Sequence, residues 1–150
     1  MAREPPGTNM ESTLRVVAEL PNLAVIRHFV EETAAALKAD RDAMDDMIQA
    51  VDESATNIIV HGYRDRPGHI EIEMTQEGNA LVVRLRDQAP LFDPTRAPPC
   101  DVTLPLERRR FGGLGIHLTR RFTDSVTWRI TSEGGTELTL RKKVKGEGNK

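Results

Sequence analysis

Residues 51–63 read VDESATNIIVHGY, placing an acid, an amide and an imidazole at intervals of four: Glu53, Asn57 and His61. Projected at 100° per residue with the turns before them, Met44, Met47, Ile48, Val51, Ala55, Ile58 and Ile59 gather on one side. Glu53, Asn57 and His61 fall on the other, with Gln49 and Asp46 nearby. The spacing predicts an amphipathic helix from about 42 to about 60 whose apolar stripe packs on a sheet. The polar trio then faces either water or a cleft beside that sheet. A glutamate in a cleft can act as general base towards a hydroxyl within hydrogen-bond reach. An asparagine one turn later offers a carbonyl oxygen, a hard ligand that suits Mg2+ in company with phosphate and water. His61 ends the helix, where the dipole favours an imidazolium, so a capping role suits it at least as well as a chemical one. The helix by itself leaves both readings open.

Working outward, STLRVVAEL (12–20) partly alternates and suits a strand. Residues 21–39 follow with Leu23, Ile26, Val30 and Leu37 on one face, and Pro21 and Asn22 stand at the start, where helices tolerate them. After the turn YRDRPG come HIEIEMTQ and ALVVRLRD, two alternating or β-branched runs separated by EGN, which is a hairpin pattern. Residues 88–111 hold five prolines and no periodicity. Such a length without structure inside a small domain points to a functional lid or to disorder. GGLGIHLTRRF then reads as a glycine turn opening a short helix, and DSVTWRITS and TELTLRKKV around EGG form a closing hairpin. The order β-α-α-β-β-lid-α-β-β predicts an α+β two-layer sandwich: a mostly antiparallel mixed sheet with helices on one face. Residues 1–11, rich in Pro, Gly and polar side chains, are expected to be a disordered lead-in. Residues 12–144 form the domain, with a lid at about 94–111, and 145–150 a flexible tail.

The length of 150 residues suits one domain with a sizeable core. With 38% hydrophobic and 29% charged residues and a net charge of −2, the chain lacks the basic excess of a general nucleic-acid binder, so no direct nucleic-acid partner is expected. Cys100 is the single cysteine, which rules out an intramolecular disulfide or a cysteine zinc cluster and makes a reducing cytoplasm the simplest setting. No apolar run approaches the roughly 18 residues of a membrane span, and the opening MAREPPGTNM lacks the apolar core of a signal peptide. No membrane partner is expected.

Three later stretches bear on the open question. LRDQAPLFDP (85–94) puts Asp87 at the end of a strand, and alone it reads as a strand exit with an Asx-type turn. RFGGLGIHL (110–118) supplies Gly112, Gly113 and Gly115 before a helical pattern. Glycines let backbone N–H groups approach an anion, and a helix N-terminus favours phosphate. This is not a P-loop, because no Gly-Lys-Ser/Thr follows, and not a dinucleotide fingerprint, because the spacing differs and no strand precedes it. The order of the pieces is more specific than any one of them. Glu53-x-x-x-Asn57, then HGY, Asp87 after a hairpin, FDP, a variable lid, GGLG and finally GGT at 134–136 resembles the GHKL ATP-binding superfamily. Within it, the chain is most similar to the anti-sigma factor serine kinases, over roughly residues 14–144. These 150 residues hold no dimerisation and phosphoacceptor helix pair of the sensor histidine kinase type, which favours the stand-alone branch.

The resemblance implies a Bergerat-type ATP-binding fold with ATP and Mg2+ as cofactors. It assigns Glu53 as general base for a serine hydroxyl on a partner and Asn57 as ligand to the Mg2+ that bridges the ATP phosphates. Asp87 would accept a hydrogen bond from the adenine amino group, with Ala89 beside it and Thr136 supporting the same end. Gly113, Leu114 and Gly115 would line the phosphate-binding turn. Phosphoryl transfer is mainly positioning and charge neutralisation, so this division of labour is chemically sufficient. The partners implied are a sigma factor and a STAS-type anti-sigma antagonist protein, exchanged by partner switching, with the kinase as a homodimer.

One departure from the family pattern stands out. Asp-x-Gly is common after the adenine aspartate, and here the run is Asp87-Gln88-Ala89. A methyl group at 89 would crowd the base, or restrict the turn if the position needs a positive φ, so ATP affinity is expected to be retained but weaker. That departure is the feature favouring a runner-up reading, a nucleotide-binding module that sequesters a partner without phosphorylating it. Intact Glu53 and Asn57 favour the kinase. A detached catalytic domain acting with a separate histidine-containing protein is a third reading, less well matched by the NIIVHGY ending. The run ERRRF (107–111) is ordinarily a solvated face, but its place at the lid hinge suggests that Arg110 reaches the terminal phosphate or an acidic patch on the partner. Trp128 in a strand reads as core or edge packing, and Met44 and Met47 read as core.

Overall fold

Alternation in the central hairpin sets the two faces of the sheet. Ile70, Ile72 and Met74 of one strand and Leu81, Val83 and Leu85 of the next are fully buried, while Glu71, Glu73, Arg84 and Arg86 point the other way. The computed structural model describes residues 11–90 and 121–145. Its strands are β1 (Glu11–Val17), β2 (His69–Glu77), β3 (Ala80–Asp87), β4 (Ser125–Ile130) and β5 (Thr136–Lys143), and its helices are α1 (Leu23–Ala36) and α2 (Arg41–Asn57). A 3-10 turn, Leu20–Asn22, leads into α1, and α2 runs on into a π-helical turn, Ile58–Tyr63. The sheet order is β1-β2-β3-β5-β4, and all four described pairings are antiparallel. This is the expected α+β arrangement, with an antiparallel five-stranded sheet and two helices. The lid and the glycine turn lie outside the described residues.

The helical stripe read from the sequence is the one that packs. Met47, Val51, Ala55 and Ile59 are buried together with Ile26 and Val30 of α1, and Met44, Ile48 and Ile58 flank them half-buried. The first strand stops at Val17 instead of Leu20 because the chain turns there. Ala18 N donates to Gly68 O, the Asn22 amide donates to Val17 O, and Pro21 then occupies the first turn of the 3-10 segment. α2 is capped by Asp40, whose Oδ2 accepts from Ala43 N at 3.1 Å while Oδ1 accepts from Lys145 N at 2.8 Å. The bond from Lys145 N, helped by that from Ala43 N, holds the Asp40 carboxyl below the ordinary aspartate range. Lys142 of β5 pairs with Asp46 at 2.9 Å, one turn further along α2.

The outer face of the sheet is an ionic lattice. Arg86 reaches Glu137 (2.7 Å), Glu73 (2.7 Å) and Glu71 (3.3 Å), and Arg129 closes on the other oxygen of Glu137 (3.0 Å). Burial works against the charge on Glu137, but hydrogen bonds from Arg86 and Arg129 outweigh it and hold its carboxyl below the ordinary glutamate range. A lowered folded-state value means stability that is present above the unfolded value of about 4.3 and lost as pH falls through the folded one. Arg86→Ala should therefore cost about 2 kcal/mol at pH 7, short of the roughly 3–5 kcal/mol of a fully buried pair. The gap between variant and wild type should close in acid. Urea denaturation midpoints at pH 7 and pH 3 check both points, and a pH-independent gap would refute the ionic account.

Candidate active site

At the exit of β3, beside the end of α2, three of the predicted residues lie together: Asp87, Ala89 and Thr136. Asp87 is the last residue of β3 and lies on the helix-facing side, in a row that runs Val16, Ile70, Asp87, Thr136, Ile130 across the five strands. Thr136, the first residue of β5, is thus its direct cross-strand neighbour. Asp87 is only 8% exposed, and its Oδ1 accepts from Ala89 N at 2.9 Å, so the strand exit is an Asx turn and a buried acceptor at once. Burial pushes the Asp87 carboxyl above the ordinary aspartate range, only partly offset by the Ala89 N–H. Ala89 is buried, and its backbone is outside the left-handed region, so the methyl requires no strained turn.

The π-helical turn carries α2 onto this exit. Arg64 N donates to Ile59 O at 3.2 Å, and the widened turn delivers Gly62 and Tyr63 inward. A Cβ on Gly62 would lie 3.2 Å from the Ala89 methyl, so helix end and strand exit touch there. Tyr63, 3% exposed, donates its hydroxyl to His69 O at 2.7 Å and accepts from Gln88 N at 2.8 Å. On the far side, Gly135 lets β5 close on the same turn: a Cβ there would fall 2.1 Å from the Asp87 carbonyl oxygen. Gly135→Ala must separate two backbones. Its expected cost is about 1–3 kcal/mol, as for overpacking, with faster amide exchange at Thr136. An unchanged melting temperature would count against this close approach.

Glu53 and Asn57 lie one turn apart on α2, about 6 Å along its axis, and both are half-buried. Their neighbours hold the helix in place. Asp52 pairs with Arg27 of α1 at 2.6 Å, and Thr56 Oγ1 donates to Asp52 O at 2.7 Å. Among the described residues Glu53 and Asn57 have no side-chain hydrogen-bond or ion-pair partner, so neither the carboxylate nor the amide oxygen is taken up by them, on a helix packed against β3 and β5. Among the described residues no group of three or more His, Cys, Asp or Glu could hold a metal ion. A hard cation held by the Asn57 amide oxygen would take its remaining ligands from phosphate and water, a donor set that suits Mg2+. His61 is exposed within the π-helical turn, and its carbonyl accepts from Arg64 Nε at 3.3 Å. Trp128, on edge strand β4, is 45% exposed, so it belongs to the edge and not to the core. Arg110, Gly113, Leu114 and Gly115 lie outside the described residues.

The sequence profile of the histidine kinase-like ATPase domain matches residues 16–142. The chain belongs to that family. Among relatives of the histidine kinase-like ATPase domain, serine-protein kinase RsbW of Bacillus cereus strain AH820 is 28% identical over 144 residues, covering 91% of this chain and 89% of the relative. The proteins of the same name from Bacillus anthracis and Bacillus thuringiensis strain Al Hakam give the same figures. The crystal structure of the RsbU and RsbW domains of Rv1364c from Mycobacterium tuberculosis aligns with a TM-score of 0.61 at 19% identity, a likeness of fold, over 89% of this chain and 32% of that longer one. No helix among the described residues is long and apolar enough to cross a membrane.

Sequence reasoning named Glu53, Asn57, Asp87, Ala89 and Thr136 but passed over Gly62, Tyr63 and Gly135 as individuals. Their signal lay in the strings HGY and GGT, which flank the chemistry-bearing residues. Only the close approaches at 3.2 Å and 2.1 Å explain why glycine stands at 62 and 135.

Proposed function

We propose that this protein is an ATP- and Mg2+-dependent serine kinase and anti-sigma factor. It would phosphorylate a serine on a small STAS-type antagonist and exchange that antagonist for a sigma factor. The observation that carries the reading is the joint just described: it fixes the helix bearing Glu53 and Asn57 to the strand exit bearing Asp87, in a family whose relatives are named serine-protein kinases. In this reading Asp87 accepts from the adenine amino group with Thr136 beside it, and Asn57 supplies an amide oxygen to the cation. Bound Mg2+ would neutralise charge on the phosphates. Glu53 takes the proton from the partner's serine hydroxyl as its oxygen bonds to the γ-phosphorus, and the bond from that phosphorus to the ADP oxygen breaks. Arg110 and the turn at Gly113, Leu114 and Gly115 complete the phosphate end. Homodimerisation and a cytoplasmic setting belong to the same proposal.

The sequestering alternative rested on Ala89, and that methyl sits in the core against Gly62 without a left-handed backbone. That removes the strained-turn ground for it, and ATP affinity measures the other ground, crowding of the base by the methyl. The direct test incubates the chain with γ-labelled ATP, Mg2+ and a STAS-type antagonist. Label should appear on an antagonist serine and vanish when EDTA removes the metal. An antagonist that binds tightly yet takes up no label would establish the sequestering module instead.

A further inference from the structure

We propose that Tyr63 is a positioning residue for the nucleotide base: its phenol oxygen locks the Asp87–Ala89 turn to the end of the helix that carries Glu53 and Asn57. The inference rests on the ATP-binding reading above and deepens it. Three elements meet on this one side chain. Its hydroxyl donates to His69 O at the start of β2 and accepts from Gln88 N, the residue between Asp87 and Ala89. Its ring lies on Gly68, where a Cβ would come within 2.1–2.8 Å of three ring carbons, so the ring has no room to turn in that direction. On its own helical turn, Gly62 abuts the Ala89 methyl.

The consequence concerns geometry. Asp87 Oδ1 is already engaged by Ala89 N, so the direction in which the carboxylate faces a ligand depends on the turn 87–89. Within that turn the Gln88 amide is the group held from outside, and the phenol holds it. A displacement of the turn by a few tenths of an ångström would misalign an acceptor for an amino group, yet it would leave contacts to the phosphates untouched. Tyr63 should therefore govern which base is bound more than whether a triphosphate is bound. A ring acting only as core filler would have no such selective effect.

Tyr63→Phe keeps the ring on Gly68 and deletes the oxygen. The experiment titrates the full chain, with Mg2+, against ATP and against inosine triphosphate, which replaces the 6-amino group by a carbonyl. Wild type should prefer ATP. In Tyr63→Phe that preference should fall at least fivefold, with inosine triphosphate affinity within about twofold of wild type, and the Gln88 amide should exchange faster in the nucleotide-free protein. Equal losses for both nucleotides would show a merely structural role and overturn the inference. Gly62→Ala leaves the phenol intact but presses a methyl on Ala89 from the other side. It should lower the preference in the same direction, and it decides the matter if Tyr63→Phe fails to fold. Wild type that binds neither nucleotide overturns the kinase reading and this inference together. Wild type that prefers ATP, with that preference intact in the folded variants, overturns this inference alone.

Discussion

Glu53→Gln should lower phosphate transfer to the antagonist by roughly 10²–10⁴-fold, the usual contribution of a general base, and leave ATP affinity within about twofold. Glutamine matches glutamate in shape but cannot take a proton from a serine hydroxyl. The fold should not register the change, because Glu53 is half-buried and its carboxylate makes no hydrogen bond or ion pair among the described residues, whereas Asp52 beside it is tied to Arg27. Unchanged melting, unchanged ATP binding and lost transfer form a signature that a structural glutamate would not produce. Single-turnover transfer of labelled phosphate measures it, and a wild-type rate in the variant would remove Glu53 from the chemistry.

Asp87→Asn should have opposite effects on folding and on binding. Burial raises the carboxyl of Asp87, so its ionised form is disfavoured in the folded chain. For a raised folded-state value the favourable contribution is fully present below the unfolded value of about 3.9 and is lost as pH rises through the folded one. At pH 7 the wild type therefore carries a penalty that asparagine avoids, and the variant should melt at the same temperature or higher, the difference vanishing in acid. Asparagine can still accept from Ala89 N through one oxygen. In place of the second acceptor, however, it presents an NH2 donor towards the adenine amino group. A lost hydrogen bond to a charged acceptor, worth about 2 kcal/mol, corresponds to about 30-fold in ATP affinity. Calorimetric titration and thermal melts at pH 7 and pH 3 read both arms. A variant that melts lower at pH 7 and binds ATP normally would make Asp87 a structural residue.

The helix that carries the site was legible because its apolar stripe repeats at 100°: Met47, Val51, Ala55 and Ile59 are buried as that period requires. The two hairpins were legible from alternation and from Gly78 and Gly134, both at positive φ. Other features were not, for definite reasons. Ser54 is buried on α2, although a small polar side chain gives no hydrophobic signal. The widened turn at Ile58–Tyr63 ends on a phenol bonded to His69 and Gln88, partners that propensity does not see. Val17 ends its strand because of a bond from Ala18 to Gly68, fifty residues on. Asp87 allowed two readings in sequence, Asx turn or ligand acceptor, and its geometry satisfies the first with one oxygen. The position of Gly135 against the Asp87 carbonyl follows from strand register, and register is set by the whole sheet.

The double use of Asp40 bears on how the chain comes to be made. One carboxylate oxygen starts α2 and the other waits for the amide of Lys145, 105 residues later. β5, which precedes that amide, is also the strand wedged between β3 and β4. On a ribosome, α2 and the central hairpin emerge well before either partner exists, and contacts of such sequence separation close slowly. The helix bearing the proposed base is therefore seated among the last parts of the molecule. A chain stopped short of β5 would hold every residue of α2 and still lack a finished α2.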